Sequence, residues 1–349
     1  MIEMGLTNQK SMGPLRGARP KGPLRKALSF SVVLAFSTHG LFAHAATSVK
    51  IEPIPLKKVA PRLSKKTIVV PKNRVRTPTK TLYSPVDRRP FFDIPVTYNS
   101  KVKFWIRHFQ GSGHKWFRKW LERSNAYLPL MKNTLAERKL PQDLAYVAMI
   151  ESGFSAHATS TASAVGYWQF IKSTGKRYGL KIDWWIDERR DHQKSTVAAA
   201  RYLGDLYKIF GSWYLTAAAY NMGEGRLGRL IKKHGTKNYW VLSQKSDFPK
   251  ETKEYIPKLL AAMMISKAPK LYGFKDLSPK DPYSYDYFFV VGGTDLMNLA
   301  SYLDIDHDRL SKLNPELLKG FVPSFIRSSR IRIPKGFSPR VTNYLRAQL

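Results

Sequence analysis

Glu151 is the residue that the sequence places best for chemistry. It ends the run Pro141-Gln142-Asp143-Leu144-Ala145-Tyr146-Val147-Ala148-Met149-Ile150-Glu151. Leu144, Val147, Ala148 and Glu151 fall there at i, i+3, i+4 and i+7 and so share one helical face. Tyr146, Met149 and Ile150 make the other faces apolar too, the mark of a helix buried on all sides. Pro141 suits a first helical position, and Asp143 suits the positive end of the helix dipole. A carboxylate on the last turn of such a helix is poorly solvated. Burial disfavours its charged form and raises its pKa toward the value that a general acid needs near neutral pH. Gly153 then breaks the helix and leaves Glu151 at an end where a cleft can open. Taken alone, the helix is more often the site of a buried glutamate paired with an Arg or Lys, since ion-pair networks also perturb carboxylates.

Three signals in order change that balance: Glu151-Ser152-Gly153-Phe154, Gly166-Tyr167-Trp168-Gln169-Phe170 and Ala219-Tyr220-Asn221. Singly, Ala-Tyr-Asn or Gly-x-x-Gln carries no information. In this order, behind an apolar helix, the set resembles the catalytic core of the lytic transglycosylases. These are lysozyme-like enzymes of the SLT type (glycoside hydrolase family 23) that cleave peptidoglycan glycan strands. The resemblance spans roughly residues 92–268, and Trp168, where many relatives have methionine, matches the transglycosylase D type.

The resemblance implies a single acid/base, substrate-assisted mechanisms being recognised exceptions to the usual carboxylate pair. Glu151 would protonate the oxygen joining MurNAc to GlcNAc, while the MurNAc acetamido oxygen shields the charge developing at C1. Glu151 would then take the proton of the C6 hydroxyl as it closes onto C1, giving a 1,6-anhydro sugar without consuming water, a lyase reaction. By motif position, Ser152 would bond near the reacting sugar, and Gln169 and the backbone around Gly166 would line the cleft. Tyr220 and Asn221 would hold Glu151 and the acetamido group, and Tyr255 would face the cleft. Trp168 would offer its face to sugar, with a core role the equal alternative.

The alternative reading is a hydrolytic lysozyme on the same fold, in which Asp183 or Asp187 would serve water. Asp187, Glu188 and Asp191 alternate with Arg189 and Arg190 and read as a structural salt-bridge cluster; Glu224, in Gly223-Glu224-Gly225, reads as an exposed turn residue. His157, His192 and His234 share no metal-ligand spacing and are assigned to the surface. No metal or cofactor is expected, and neither a Gly-rich phosphate loop nor a Ser-His-Asp arrangement is evident.

The elements that must position this core are helical. Val102, Trp105, Ile106 and Phe109 predict one short helix, Trp116, Phe117, Trp120 and Leu121 a second, and another is expected near Asn125–Leu140. Helices follow over Trp168–Tyr178, up to Gly211, over Trp213–Asn221, over Arg226–His234 and over Glu251–Lys267. From Tyr283 the period changes: Tyr285, Tyr287 and Phe289 alternate with Asp286 and Phe288, a strand signal, and Gly292-Gly293 makes a turn. Two short helices and the alternating Ser329–Ile333 complete a strand–helix–helix–strand order. With Gly293-Thr294-Asp295-Leu296 and Leu313-Asn314-Pro315 it resembles a LysM-type carbohydrate-binding module. The change of period predicts a separate folding unit. The fold class expected is therefore mainly α, a lysozyme-like all-helical domain over 91–270 followed by a small βααβ LysM-like module over 283–336.

The 349 residues, 43% of them hydrophobic and 13% aromatic, suffice for real cores. The net charge of +34 calls for a polyanionic surrounding, an anionic cell-wall or membrane surface or nucleic acid. The N-terminus chooses among these. Arg16, Arg19, Lys21, Arg25 and Lys26 precede an apolar run, Ala27–Phe42, and then Ala43, Ala45 and Ala46. That is the order of a secretory signal peptide, assigned to 1–46, and export to the periplasm counts against nucleic acid. Residues 47–90, rich in Pro, Lys and Arg, read as a disordered basic linker. The absence of cysteine excludes a lipid-modified cysteine. The expected partner is the peptidoglycan strand, bound by a monomer; a non-enzymatic wall-binding protein is the remaining alternative.

Overall fold

The computed structural model describes residues 91–348; the expected leader and basic linker lie outside the described residues. Among the described residues, the helical domain is built from nine α-helices. Asn99 caps α1 (Ser100–Gln110) by accepting from Val102 N–H, and Gly111 ends it. After Gly113 comes α2 (His114–Ala136), which joins in one 23-residue rod the two helices expected on either side of residue 124 and carries Pro129 inside it. The organising run is a turn of 3₁₀ helix, Gln142–Leu144, leading into α3 (Ala145–Ser152). Ala145 to Ile150 are all buried, as the all-round apolar pattern requires. Asp143, also buried, is paired with Lys267 at 2.6 Å.

The helix expected over Trp168–Tyr178 shrinks to α4 (Lys172–Arg177). Gln169 takes φ +48°, left-handed backbone that stops a helix, and Val165 pairs with Phe170 in a bridge. Then come α5 (His192–Phe210), α6 (Trp213–Met222), α7 (Glu224–His234), α8 (Tyr239–Leu242) and α9 (Lys250–Lys267). The last of these packs on α1, α3 and α6, so it is the wall against which the acid-bearing helix is set. Leu259, Leu260, Ala261, Ala262 and Met263 give it the apolar surface to do so.

The C-terminal unit follows the expected order. Strand β1 (Tyr285–Val291) pairs antiparallel with β2 (Ser328–Pro334), Tyr285 opposite Pro334 and Val291 opposite Ser328. Between them lie α10 (Leu296–Leu303), capped by Asp295, and α11 (His307–Leu313). A final helix, α12 (Ser338–Arg346), was not expected; it buries Val341 and Tyr344 against this unit. The unit has its own apolar core of Val290, Leu299, Leu310, Ile331 and Ile333, but Ile186 of the helical domain belongs to that core as well. No helix among the described residues is long and apolar enough to cross a membrane.

Candidate active site

Residue Glu151 sits on the last turn of α3, and the helix stops two residues later because Gly153 adopts φ +58°. The glycine is required twice over, since a Cβ there would come within 2.0 Å of the Trp120 indole nitrogen. The carboxylate opens on a cleft of about 590 Å³. Its lining includes Gln169, Tyr220 and Asn221, so three of the residues expected beside Glu151 meet it there.

Behind the carboxylate stands α9. The Tyr255 hydroxyl, itself buried, donates to Glu151 Oε1 at 2.5 Å. Lys258 Nζ donates to the carbonyl of Ile150 at 3.1 Å and lies over the rings of Trp105 and Trp120, 5.8 and 5.7 Å from their centroids. The cation thus rests on the negative end of α3 between two aromatic faces. Glu254 fixes one of these rings by accepting from Trp105 Nε1 at 3.0 Å. Burial pushes the Glu151 pKa up to about 7; Tyr255 and Lys258 pull against it, and Glu251 adds to it. Desolvation dominates, so the group holds a proton near neutrality and can also release it. Burial likewise draws Lys258 down from the ordinary lysine value, while Glu151 and Glu251 favour its charge.

The opposite wall is a tight loop. Gln169 Nε2 donates to the carbonyls of Gly166 and Ala158 at 2.9 and 3.1 Å. Tyr220, on α6, donates its hydroxyl to the Trp168 carbonyl at 2.7 Å rather than to Glu151. Asn221 donates to Glu251 at 2.8 Å and accepts from Thr252 at 2.6 Å, which sets its amide on the cleft.

Several sequence assignments change. Trp168 is fully buried, its indole N–H given to Thr196 Oγ1 at 2.9 Å, so it fills the core and offers no face to a ligand. Ser152 stands beside Glu151 but donates to the Tyr167 carbonyl at 2.8 Å, tying α3 to the loop. Gly166 (φ +83°) is needed for close approach to the Arg189 carbonyl, which a Cβ would meet at 1.9 Å. Glu224 is no exposed turn residue: it begins α7 and lines the same cleft as Glu151. It accepts from Arg177 and from the Tyr202 hydroxyl, both at 3.0 Å. Burial favours its neutral form, but its own backbone N–H, Tyr202 and Arg177 hold it below the usual glutamate value. Asp183 and Asp187 do not line the cleft. Asp183 caps a turn through the N–H groups of Trp185 and Ile186, and Asp187 pairs with buried Arg189 at 2.7 Å, the structural role read from the sequence. His192 is buried rather than at the surface, and burial pushes its pKa down to about 3.

Sequence reasoning also missed Glu251 and Lys258. Glu251, Tyr255 and Lys258 are spaced i, i+4 and i+7, one face of α9, and that spacing was available to find them.

Residues 129–243 match the family model of the transglycosylase SLT domain. The mainly α reading of the fold stands: among the described residues the only sheet has two strands. Membrane-bound lytic murein transglycosylase D of Escherichia coli K12 is 42% identical over 158 residues, which are 44% of this chain and 34% of that protein. Peptidoglycan transglycosylase gp16 of Escherichia phage T7 is 34% identical over 137 residues, 38% of this chain and 10% of that protein. The chain therefore spans about a third or less of the length of these relatives. Among solved structures, the 70 kDa soluble lytic transglycosylase of Escherichia coli is similar at 22% identity and a TM-score of 0.36, over 53% of this chain and 33% of that one.

Proposed function

We propose that this protein is a peptidoglycan lytic transglycosylase that breaks the MurNAc-β-1,4-GlcNAc bond and leaves a 1,6-anhydroMurNAc end. The observation that carries the reading is a glutamate at the mouth of a cleft, its pKa raised to about 7, with a tyrosine hydroxyl 2.5 Å from one oxygen. Such a group can give its proton to the bridging oxygen and then take one from the C6 hydroxyl. Its two states are close enough in free energy for both steps. Tyr255 holds the carboxylate in place through the exchange, and Asn221, anchored by Glu251 and Thr252, is set to meet the acetamido group. Mass spectrometry of digested cell wall tests the product: anhydro ends support the reading, and new reducing ends overturn it.

One observation favours a second reading, a hydrolytic muramidase. Glu224 is a second, ionised carboxylate on the same cleft. Its two oxygens are engaged by Arg177 and Tyr202, which suits a positioning group better than a base for water. Reducing ends that vanish in Glu224→Gln would establish the hydrolase.

Export to the periplasm, action as a monomer on peptidoglycan and attachment of the basic segment 47–90 to anionic wall material complete the proposal. Nucleic acid has no part in it. The LysM-like unit would add contact with glycan, and no cofactor is used. Wall pull-down at low salt should weaken when 47–90 is deleted and should lose that advantage as salt screens the charges.

A further inference from the structure

The segment from Trp184 to His192 is shared between two structures. On one side it meets the C-terminal unit. Leu318 N–H donates to the Trp185 carbonyl and Asp187 N–H to the Glu316 carbonyl, both at 2.9 Å. The Ile186 side chain enters the unit's apolar core. Arg332 of β2, 2% exposed, sends Nη1 to Asp191 Oδ2 at 2.8 Å, Nη2 to Glu316 Oε2 at 2.5 Å and Nε to the Leu313 carbonyl at 2.6 Å. The other oxygen of Asp191 caps α5 through the N–H groups of Gln193 and Lys194. Tyr285 and His192 share a hydrogen bond at 3.1 Å.

On its other side the same segment holds the cleft wall. Arg189, clamped by Asp187, donates to the carbonyls of Ser163 and Phe170, both at 3.1 Å. Gly166 backs onto the Arg189 carbonyl. Ala164, Gln169 and Phe170, which line the cleft, belong to the loop so held.

We infer that the C-terminal unit is a brace of the active cleft, with Arg332 as its positioning residue. Through Asp191 and Glu316 the guanidinium fixes the segment Asp187–Asp191, and through Arg189 that segment fixes the wall that carries Gln169. A tethered module would be joined by a linker alone. Here a buried charge network and two backbone hydrogen bonds join it, and a buried charge separated from its partners is strongly disfavoured. The naming of the cleft as the active one rests on the proposed function; the mechanical coupling does not.

The experiment is made on the full chain. Arg332→Met combined with Asp191→Asn and Glu316→Gln removes all three charges, leaves none unpaired and keeps a capping side chain on α5. Leu317→Glu breaks the junction from the other side, by putting a carboxylate against Ile186, should the first variant stay docked. Hydrogen exchange reads the junction at the Asp187 and Leu318 amides and the cleft wall at Val165 and Gly166, whose amides donate to Phe170 and Ala158. The Gly153 amide, bonded to Met149 in α3, reports general unfolding.

Once the junction amides exchange fast, the wall amides should exchange at least about tenfold faster than in the parent, with Gly153 still protected. Turnover number on short soluble glycans should fall by a similar factor. Wall amides as slow as in the parent beside an opened junction would overturn the brace. A parent without lytic activity overturns the functional reading and leaves the exchange result standing.

Discussion

Replacing Tyr255 by phenylalanine removes one hydroxyl and tests the acid directly. The hydroxyl donates to Glu151 Oε1 at 2.5 Å and therefore stabilises the carboxylate over the neutral acid. A hydrogen bond to a charged group is worth about 1.5–3 kcal/mol, and one pKa unit corresponds to about 1.4 kcal/mol. Loss of the bond should raise the Glu151 pKa by about 1–2 units. Water entering from the cleft would set the value at the lower end of that range. Since the parent value is about 7, the alkaline limb of the pH profile of kcat/KM should move from near neutrality to about pH 8–9 in Tyr255→Phe. The plateau should fall as well, because the carboxylate loses the group that orients it. The assay is kcat/KM for short soluble glycans across the alkaline limb, with folding checked by circular dichroism. A limb that stays in place, or moves to lower pH, would refute the role of Tyr255 and the assignment of the limb to Glu151.

The remaining predictions concern the same wall and its supports. Glu151→Gln should abolish lysis, a loss larger than the roughly 10²-fold that acid–base catalysis contributes at the least; activity within tenfold of the parent would exclude the role. Because the folded pKa of Glu151 exceeds its ordinary value of 4.5, the native state holds the proton more tightly, and stability falls as pH rises from about 4.5 through about 7. Glu151→Gln should then stabilise the fold by about 1–3 kcal/mol more at pH 8 than at pH 4, measured as urea midpoints at the two pH values. Lys258→Met should move the alkaline limb in the same direction as Tyr255→Phe, and an unmoved limb would leave Lys258 a packing residue. Trp168→Ala should cost about 3–5 kcal/mol in denaturant unfolding, as a core cavity does, and a variant of undiminished stability but raised KM would restore the sugar-contact reading.

Much of this arrangement is legible in the sequence. The all-round apolar run before Glu151 has one stable outcome, a buried helix, and Gly153 fixes where it stops. The strand, two helices and strand after Tyr283 were read from their periods. What failed were places where tertiary packing outvotes local chemistry. A tryptophan in a motif serves equally as a ligand platform or as core, and Trp168 is core, with Thr196 on α5 the buried acceptor for its N–H. Two glycines around Glu224 suggest a turn, but Gly223 alone turns, at φ +89°, and Gly225 lies inside α7. The length expected for the helix after Trp168 ignored the left-handed backbone at Gln169, a residue type that gives no warning of it. The docking of the C-terminal unit had no local signal, because Asp191, Glu316 and Arg332 are brought together from distant parts of the chain.

The seat of Gly153 on Trp120 limits how the sequence can drift. The position of the acid depends on a carbon atom that is missing, so every single substitution at 153 meets both the indole and an unfavourable φ. A smaller residue at 120 would relieve the collision but not the backbone, and it would also strip one aromatic face from Lys258. No second-site change repairs both faults at once. Libraries built to retune this cleft should therefore leave 120 and 153 untouched and place their diversity across the gap, at positions such as 162, 173 and 222 that line the cleft from elsewhere.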